Sequence, residues 1–586
     1  MNGEWSLDVL YKSYEDPAFQ EDIKKVDAYN AKIREMAAGL KDRSGKEAVL
    51  EIIELMEEYS VLFFRLGSYI SLRQSVATTD PQTAAYMDML QRKSTEVSKE
   101  QVMFDKFLAT QPELDTYIAE DEKLGQYRFL LEETRKNVEH MLPDDVEEMY
   151  SLMNLTGGGA WANMFDYLTS TVVVDYKGEQ TNLPAIRNLA YDSDPQVRKD
   201  AYEAELAAYE KIKDPIAFAL NNIKAQVNMI AEKRGYESPL AMTLAQSRMK
   251  RETLDALWTA CQEYLPKFHQ YLRRKAEMLG YENGLPWYEM FAPMGESDQT
   301  FDENSAKEYL LKHFYGFAED LGDMVKEAFE QEWIDFYPHA GKVGGAFCAN
   351  LPFVKQSRVL TNFDGKLTDV VTLAHELGHA YHGLLIQDHL PLNTDYSMPV
   401  AETASTFNEN VIMSAAIAEA SAEERVVLLE SQLQDLTQII CDIYSRYLFE
   451  SEVFEKRKNG FLFADELKEI MLNAQKTAYG DGVDQTQLHP FMWTCKGHYY
   501  FESLSFYNFP YAFGGLFAKG LYAQYLKEGK EFLPKYRALL HATTISSVED
   551  VAQMAGIDLT KPDFWRSSLE LAAQSIDEFL ELTKKA

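Results

Sequence analysis

The chain has 586 residues, 46% of them hydrophobic, which is more than one ordinary core holds and enough to bury two. Its 93 acidic against 58 basic side chains give a formal net charge of −35. That argues against nucleic acid and anionic membrane surfaces as partners, and for a soluble protein.

Residues 1–8 carry neither a basic nor an apolar segment, so no secretory signal is expected. No apolar run is long enough to span a bilayer. Cys261, Cys348, Cys441 and Cys495 are far apart and form no C-x-x-C pair. Reduced thiols and a cytoplasmic location follow as expectations. Helical periodicity dominates. Asp16-Pro17, Asp80-Pro81, Asp194-Pro195 and Asp214-Pro215 each predict a helix N-cap followed by proline at the first helical position. Residues 17–150 read as long helices joined by short turns; Ala48 to Met56 spaces its apolar residues at the helical period with acids between them. Thr171 to Tyr176, followed by Lys177-Gly178, predicts a short strand and a turn. Tyr191 to Pro195 suggests a boundary near 190, dividing a helical lobe of residues 1–190 from residues 191–586. Tyr281 to Trp287 is punctuated by Gly and Pro and predicts a loop.

Residues 344–363 read as strand, loop, strand. An edge strand beginning at Gly345 and Ala346 could pair with an extended peptide backbone, and Gly-Gly would admit close approach. The next helix carries His375-Glu376-Leu377-Gly378-His379, an H-E-x-x-H pattern. Four-residue spacing projects both imidazoles from one helical face, as two ligands of a tetrahedral Zn²⁺ require. Glu376, beside the first ligand, is placed to act as a general base on water. The competing reading is an amphipathic helix with two ordinary histidines. Against it stands the apolar run Val371, Leu373, Ala374 and Leu377, which would bury the cluster and demand partners for it. A third donor is needed. Residues 398–410 predict a helix starting just after Pro399, with Glu402 in its first turns and Glu409 seven residues on, on the same face. Glu402 would complete a His₂Glu set holding one zinc per chain, and Glu409 would orient a ligand imidazole.

Residues 489–513 concentrate aromatics and contain His489, His498, Tyr499, Tyr500, Tyr507 and Tyr511. Amide hydrolysis builds negative charge on a tetrahedral oxygen, and Tyr O–H or His N–H donors could stabilise it. An aromatic core with hydroxyls at its rim would leave the same pattern.

His375 to His382, followed by Ala401-Glu402-Thr403-Ala404-Ser405 and Glu409, resembles the M3 family of zinc oligopeptidases, in its oligoendopeptidase F branch. Gly345-Ala346-Phe347-Cys348, Phe506 to Tyr511, and the surroundings of His140 and Leu142 resemble it too. The resemblance implies a mainly α, two-lobed metallopeptidase with a deep central channel and a small antiparallel sheet beside the metal helix. The channel would admit short unfolded peptides and exclude folded proteins. By motif match, His375, His379 and Glu402 would be ligands, Glu376 the base, and His498 and Tyr507 the oxyanion-stabilising pair. Tyr511 would be a further substrate-binding tyrosine and His382 a neighbour of the metal helix, not a ligand. One departure is Glu289, where the resemblance leads one to expect Asp. The expected activity is zinc-dependent endopeptidase cleavage of short peptides. The alternatives are a carboxypeptidase of similar build, for which no Arg cluster near the motif declares a carboxylate site, and a non-catalytic peptide-binding protein with structural zinc.

Overall fold

The computed structural model describes residues 3–295 and 299–584 of the chain. Helices carry most of it, as the periodicity predicts. Helix α1 (Pro17–Ala38) starts where the Asp16 carboxylate accepts from Ala18 N at 2.9 Å. Asp80 caps Pro81–Thr95 in the same way. Apolar residues of α1 (Phe19, Val26, Ile33) and of α2, spanning Gly45–Val76 (Val49, Ile52, Leu66), bury together in a first core.

A second core begins with helix α3 (Gly158–Thr171) and the hairpin of β1 (Val174–Tyr176) and β2 (Glu179–Thr181). The turn at Lys177 and Gly178 has φ of +50° and +87°, so this pair closes a two-residue hairpin. Phe165, Val172, Val174, Leu183 and Ile186 belong to the same core as Ile212, Ile216 and Leu220 of α4 (Pro195–Lys233). Along the chain, the helices of the first core run to Leu131 and the second core begins at Phe165. Asp194 caps α4, but Asp214-Pro215 starts no helix: Pro215 lies inside α4. Buried Tyr209, Ile212, Ile216, Leu220 and Ile223 continue one packed face through it. Packing on both sides outweighs the one hydrogen bond that proline removes. His140 Nδ1 lies 2.7 Å from the Arg234 carbonyl, and its ring stacks on Tyr236, which joins the end of α4 to the N-terminal helices.

The sheet before the metal motif has three strands, β3 (Ile334–Asp335), β4 (Phe347–Leu351) and β5 (Gln356–Leu360), in the order β3-β5-β4. β4 and β5 are antiparallel, with Phe347 opposite Leu360 and Leu351 opposite Gln356. β3 joins β5 in parallel, so the sheet is mixed where an antiparallel one was expected. Two residues leave no period to read. Leu351 and Leu360 reach into the first core while Val359 faces the second, so the sheet touches both. β3 and β4 are its outer strands.

Helix α5 (Leu367–Ile386) carries the H-E-x-x-H motif, and α6 (Thr403–Glu419) packs across it. α7 (Ile443–Arg457), α8 (Phe509–Glu528) and α9 (Leu533–Ala542) close the second core. The four cysteines are unpaired. Among the described residues no helix is long and apolar enough to cross a membrane.

Candidate metal centre

The start of α5 is fixed by Asp369, whose carboxylate accepts from Asp364 N and Lys366 N, each at 3.0 Å. Leu373, Ala374, Leu377 and Ala380 bury one face, leaving His375 and His379 partly accessible on the flank. α6 crosses at Gly378. A Cβ there would meet Ala404 O and Ser405 Cα, each at 2.5 Å, so only glycine admits this approach. Asn408 Nδ2 donates to Ala374 O at 3.2 Å and Asn350 Nδ2 to His379 O at 3.2 Å, which ties α5 to α6 and to β4.

Glu402 sits at a break. A short helix, Met398–Ala401, ends there (φ −91°, ψ 11°) and α6 starts at Thr403. The carboxylate thus stands at a corner between helices, rather than within the first turns of one. Its Oε2 is 3.2 Å from His375 Nε2, 3.2 Å from His379 Nε2, and accepts from Ser405 Oγ at 2.7 Å. Ligand atoms about 2.0–2.1 Å from a tetrahedral Zn²⁺ lie roughly 3.3 Å from one another. The Glu402 oxygen therefore stands at about that spacing from each imidazole, and the three atoms lie within 4.8 Å of one another. Glu409, about two turns further along, lies 2.7 Å from His375 Nδ1 and so aims Nε2 inward.

The electrostatics point the same way. Burial works against charge on His375, yet Glu402 and Glu409 carry its imidazole up to about 10. Burial also works against the Glu402 carboxylate, yet the two imidazoles and Ser405 hold it well below the usual range. A cation held here would displace that proton, because an imidazole ligates only when neutral. Burial raises Glu376, which is 6% exposed, and the imidazoles on either side pull it back. Behind Glu409, burial lowers Lys519 to about 8, with Glu409 pulling it up.

His498, Tyr507 and Tyr511 form one aromatic group. The His498 ring centroid is 4.7 Å from that of Tyr507 and 5.9 Å from that of Tyr511. Tyr511 opens α8, whose Gly514 packs against Glu402: a Cβ there would stand 3.4 Å from Glu402 Cβ. Burial, then Tyr507, raises the Tyr511 phenol, and the Glu402 charge adds to this. Burial and the charge of Arg446 lower His498 to about 4, so its ring is neutral at pH 7. Tyr507 also lines a cavity of about 350 Å³ with Gln246, Arg248, Tyr396, Met398 and Ser503. Gly345 (φ +79°) and Ala346 lead into the outer strand β4; Gly345 O accepts from Asn362 Nδ2 at 2.8 Å. Burial raises the Cys348 thiol on that strand, and the Glu376 charge adds to it, so the edge runs beside the candidate base.

The other candidates fall away from the cluster. His382 is fully buried, stacks on Tyr396 with centroids 4.4 Å apart, and meets Thr543 Oγ1 at 2.7 Å. Tyr499, Tyr500 and His489 are core residues. Glu289 is also buried, paired with Arg198 and accepting from Tyr281 Oη at 2.9 Å.

Sequence reasoning missed one supporting pair. Glu450 on α7 and Lys224 on α4 are each 1% exposed and 2.7 Å apart. The Glu450 carboxylate also accepts from Phe506 N at 3.1 Å and Asn508 Nδ2 at 2.8 Å. It therefore grips the turn that presents Tyr507, in which Phe506 takes φ of +54°. A lone acid on an amphipathic helix gives no signal of this in sequence.

The description Peptidase family M3 matches residues 188–571, and the description Oligopeptidase F matches residues 109–173. Oligopeptidase PepF of Bacillus subtilis is 25% identical over 601 residues, 99% of this chain and 87% of its own length. An oligoendopeptidase F homolog of Lactococcus lactis is 24% identical over 603 residues, 99% of this chain and 97% of its own length. Among solved structures, a candidate peptidase of Chlamydophila abortus matches with a TM-score of 0.87 at 19% identity, covering 99% of this chain and 98% of that one. Oligoendopeptidase-F of Enterococcus faecium matches with a TM-score of 0.71 at 20% identity, covering 96% and 98%. At these identities the structures speak for the fold.

Proposed function

The chain belongs to peptidase family M3, and from that premise we propose that it is a zinc-dependent cytoplasmic endopeptidase that cleaves internal bonds of short unfolded peptides. The observation that carries this reading is the convergence of His375 Nε2 and His379 Nε2 on one Glu402 oxygen, each 3.2 Å from it, with Glu376 beside them. His375, His379 and Glu402 would hold the cation; Glu409 and Ser405 would keep the first imidazole and the carboxylate aimed. When bound, such a cation supplies Lewis-acid polarisation of the scissile carbonyl and makes water more acidic.

The remaining chemistry belongs to the chain. Glu376 takes the proton of the attacking water and delivers it to the leaving amine; its burial keeps it a base strong enough for the first step. Neutral His498 donates a hydrogen bond, and with the Tyr507 hydroxyl it stabilises the negative oxygen that forms; Tyr511 contacts the substrate backbone. A peptide strand pairs with the edge at Gly345 and Ala346, which holds the scissile bond in register. The proposed substrate path runs along this edge and past the 350 Å³ cavity beside Tyr507. Arg446 is ion-paired with buried Asp442, whereas Lys496, which also acts on His498, and Arg248, which lines the cavity, are further cations near this aromatic group. End-blocked peptides therefore decide between the endopeptidase and the carboxypeptidase.

The test is Glu376→Gln with quenched and end-blocked peptides. Turnover should fall by about 10²–10⁴-fold with zinc retained. Wild-type protein should cut the blocked peptide internally, as seen by mass spectrometry of the products. Full activity in Glu376→Gln, or cleavage confined to free C-termini, would overturn the reading.

A further inference from the structure

A second group of metal-type donors lies away from the catalytic cluster, just past the end of α5. Asp388, His389 and His541 each bring one ligand-capable atom within 4.8 Å of the others. Asp388 and His389 follow α5 directly, and His541 is in the last turn of α9. His541 Nε2 is 3.2 Å from Asp388 Oδ1 and 3.0 Å from His389 Nε2. These spacings are close to the 3.2 Å of the catalytic donors.

The two imidazoles of this group meet without a single in-line hydrogen bond. His389 Nδ1 meets Thr544 Oγ1 at 2.6 Å, which fixes the ring and leaves Nε2 as the atom facing His541. That Nε2 lies 3.0 Å from one nitrogen of His541 and 3.3 Å from the other, with the rings at 76°. A hydrogen bond along one ring lone pair would hold the second nitrogen much further off. His389 Nε2 therefore has no in-line donor. Burial, and then His541, lower the His389 imidazole, which keeps it neutral and able to ligate near pH 7. The His541 side chain is 41% exposed and the Asp388 side chain 71%, so both can turn their donors to a common point open to solvent.

We propose that Asp388, His389 and His541 form a second divalent-cation site, taking a borderline cation such as Zn²⁺, Ni²⁺ or Cu²⁺ with water completing its coordination. Two imidazoles and one carboxylate suit that class, not Ca²⁺ or Mg²⁺. The bound cation clamps the chain leaving the metal helix to the end of α9. Its neighbour Thr543 already contacts His382 of α5, so the clamp bears on the support of the catalytic helix.

The experiment measures zinc content after saturation with Zn²⁺ and gel filtration, alongside thermal melts. Wild type should hold two equivalents. His541→Ala should hold one, and His375→Ala should also hold one, so loss at either site is read separately. Filling the second site should raise the Tm of wild type and of His375→Ala by several degrees, and leave that of His541→Ala unchanged. With Co²⁺, His375→Ala should still show d–d absorption, which His389→Gln in that background removes. Two equivalents retained in His541→Ala, or one equivalent in wild type with none in His375→Ala, would overturn the proposal. An unchanged Tm on filling the second site would overturn the clamp.

Discussion

Glu450→Gln tests how the tyrosine turn is held. In the wild type one carboxylate neutralises Lys224 at 2.7 Å and accepts from Phe506 N and Asn508 Nδ2, with both charged partners 1% exposed. Gln keeps one acceptor but leaves Lys224 charged and unpaired. Breaking a buried pair from one side costs about 3–5 kcal/mol, and the retained acceptor sets the expectation near the lower end. Phe506 is in the left-handed region, which costs roughly 1–3 kcal/mol, so the turn has a conformation to relax into once the grip weakens. A displacement of about 1 Å at a catalytic donor lowers turnover by about 10²-fold. Glu450→Gln should therefore cut kcat by about 10–100-fold with KM within about threefold, since the loss falls on the transition state. Tyr507→Phe should cost about 10²–10³-fold. Peptide kinetics at 25 °C, on protein verified as folded by circular dichroism, measure both. The double variant should match Tyr507→Phe alone, because Glu450 acts only through that hydroxyl. Additive losses, or a destabilised Glu450→Gln with unchanged kcat, would refute the positioning argument. An inert Tyr507→Phe would instead refute the donor assignment.

Glu409→Ala should weaken zinc binding by about 10–100-fold in chelator competition, because His375 loses the group that aims it; unchanged affinity would contradict the orienting role. Gly378→Ala should lower both Tm and zinc affinity, although the same change in an exposed helix raises stability by about 0.5–1 kcal/mol, since its Cβ meets only α6 backbone at 2.5 Å. Burial alone lifts the Asp105 carboxyl to about 6. A raised acid binds its proton more tightly when folded, so its contribution is full below about pH 4 and is lost as pH climbs through 6. Asp105→Asn should therefore be more stable than wild type by about 1–3 kcal/mol at pH 7.5 and no more stable at pH 4, read from urea unfolding at both. An equal gain at both pH values would contradict the burial argument.

What was legible in the sequence depends on how far apart the cooperating residues lie. His375, Glu376 and His379 share one helical turn, so backbone geometry alone places them. Glu402 is 23 residues beyond His379 and could be named; its place at a helix break could not, because Pro399 marks a helix start as readily as a corner. Asp16, Asp80 and Asp194 behave as caps since each first turn stands free to form. Asp214-Pro215 does not, since its position in a packed 39-residue helix is set by what buries either side of it. The parallel strand β3 was invisible for the same reason: its pairing to Val359 and Leu360 is decided by the sheet, not by its own two residues.

This sets a division of labour within the site. The groups that would hold the cation and move the proton come from two neighbouring helices and tolerate description by motif. The groups that would stabilise charge on the substrate arrive from 100 residues further on, on a strained turn held by a pair 226 residues apart in sequence. Local propensity contributes nothing to that arrangement, and at Phe506 it opposes it. The second core must therefore be packed before Tyr507 can join His498 and Tyr511. A variant that loosens the core should lose turnover while it still binds zinc, so metal content alone is a poor guide to an intact active site in this chain.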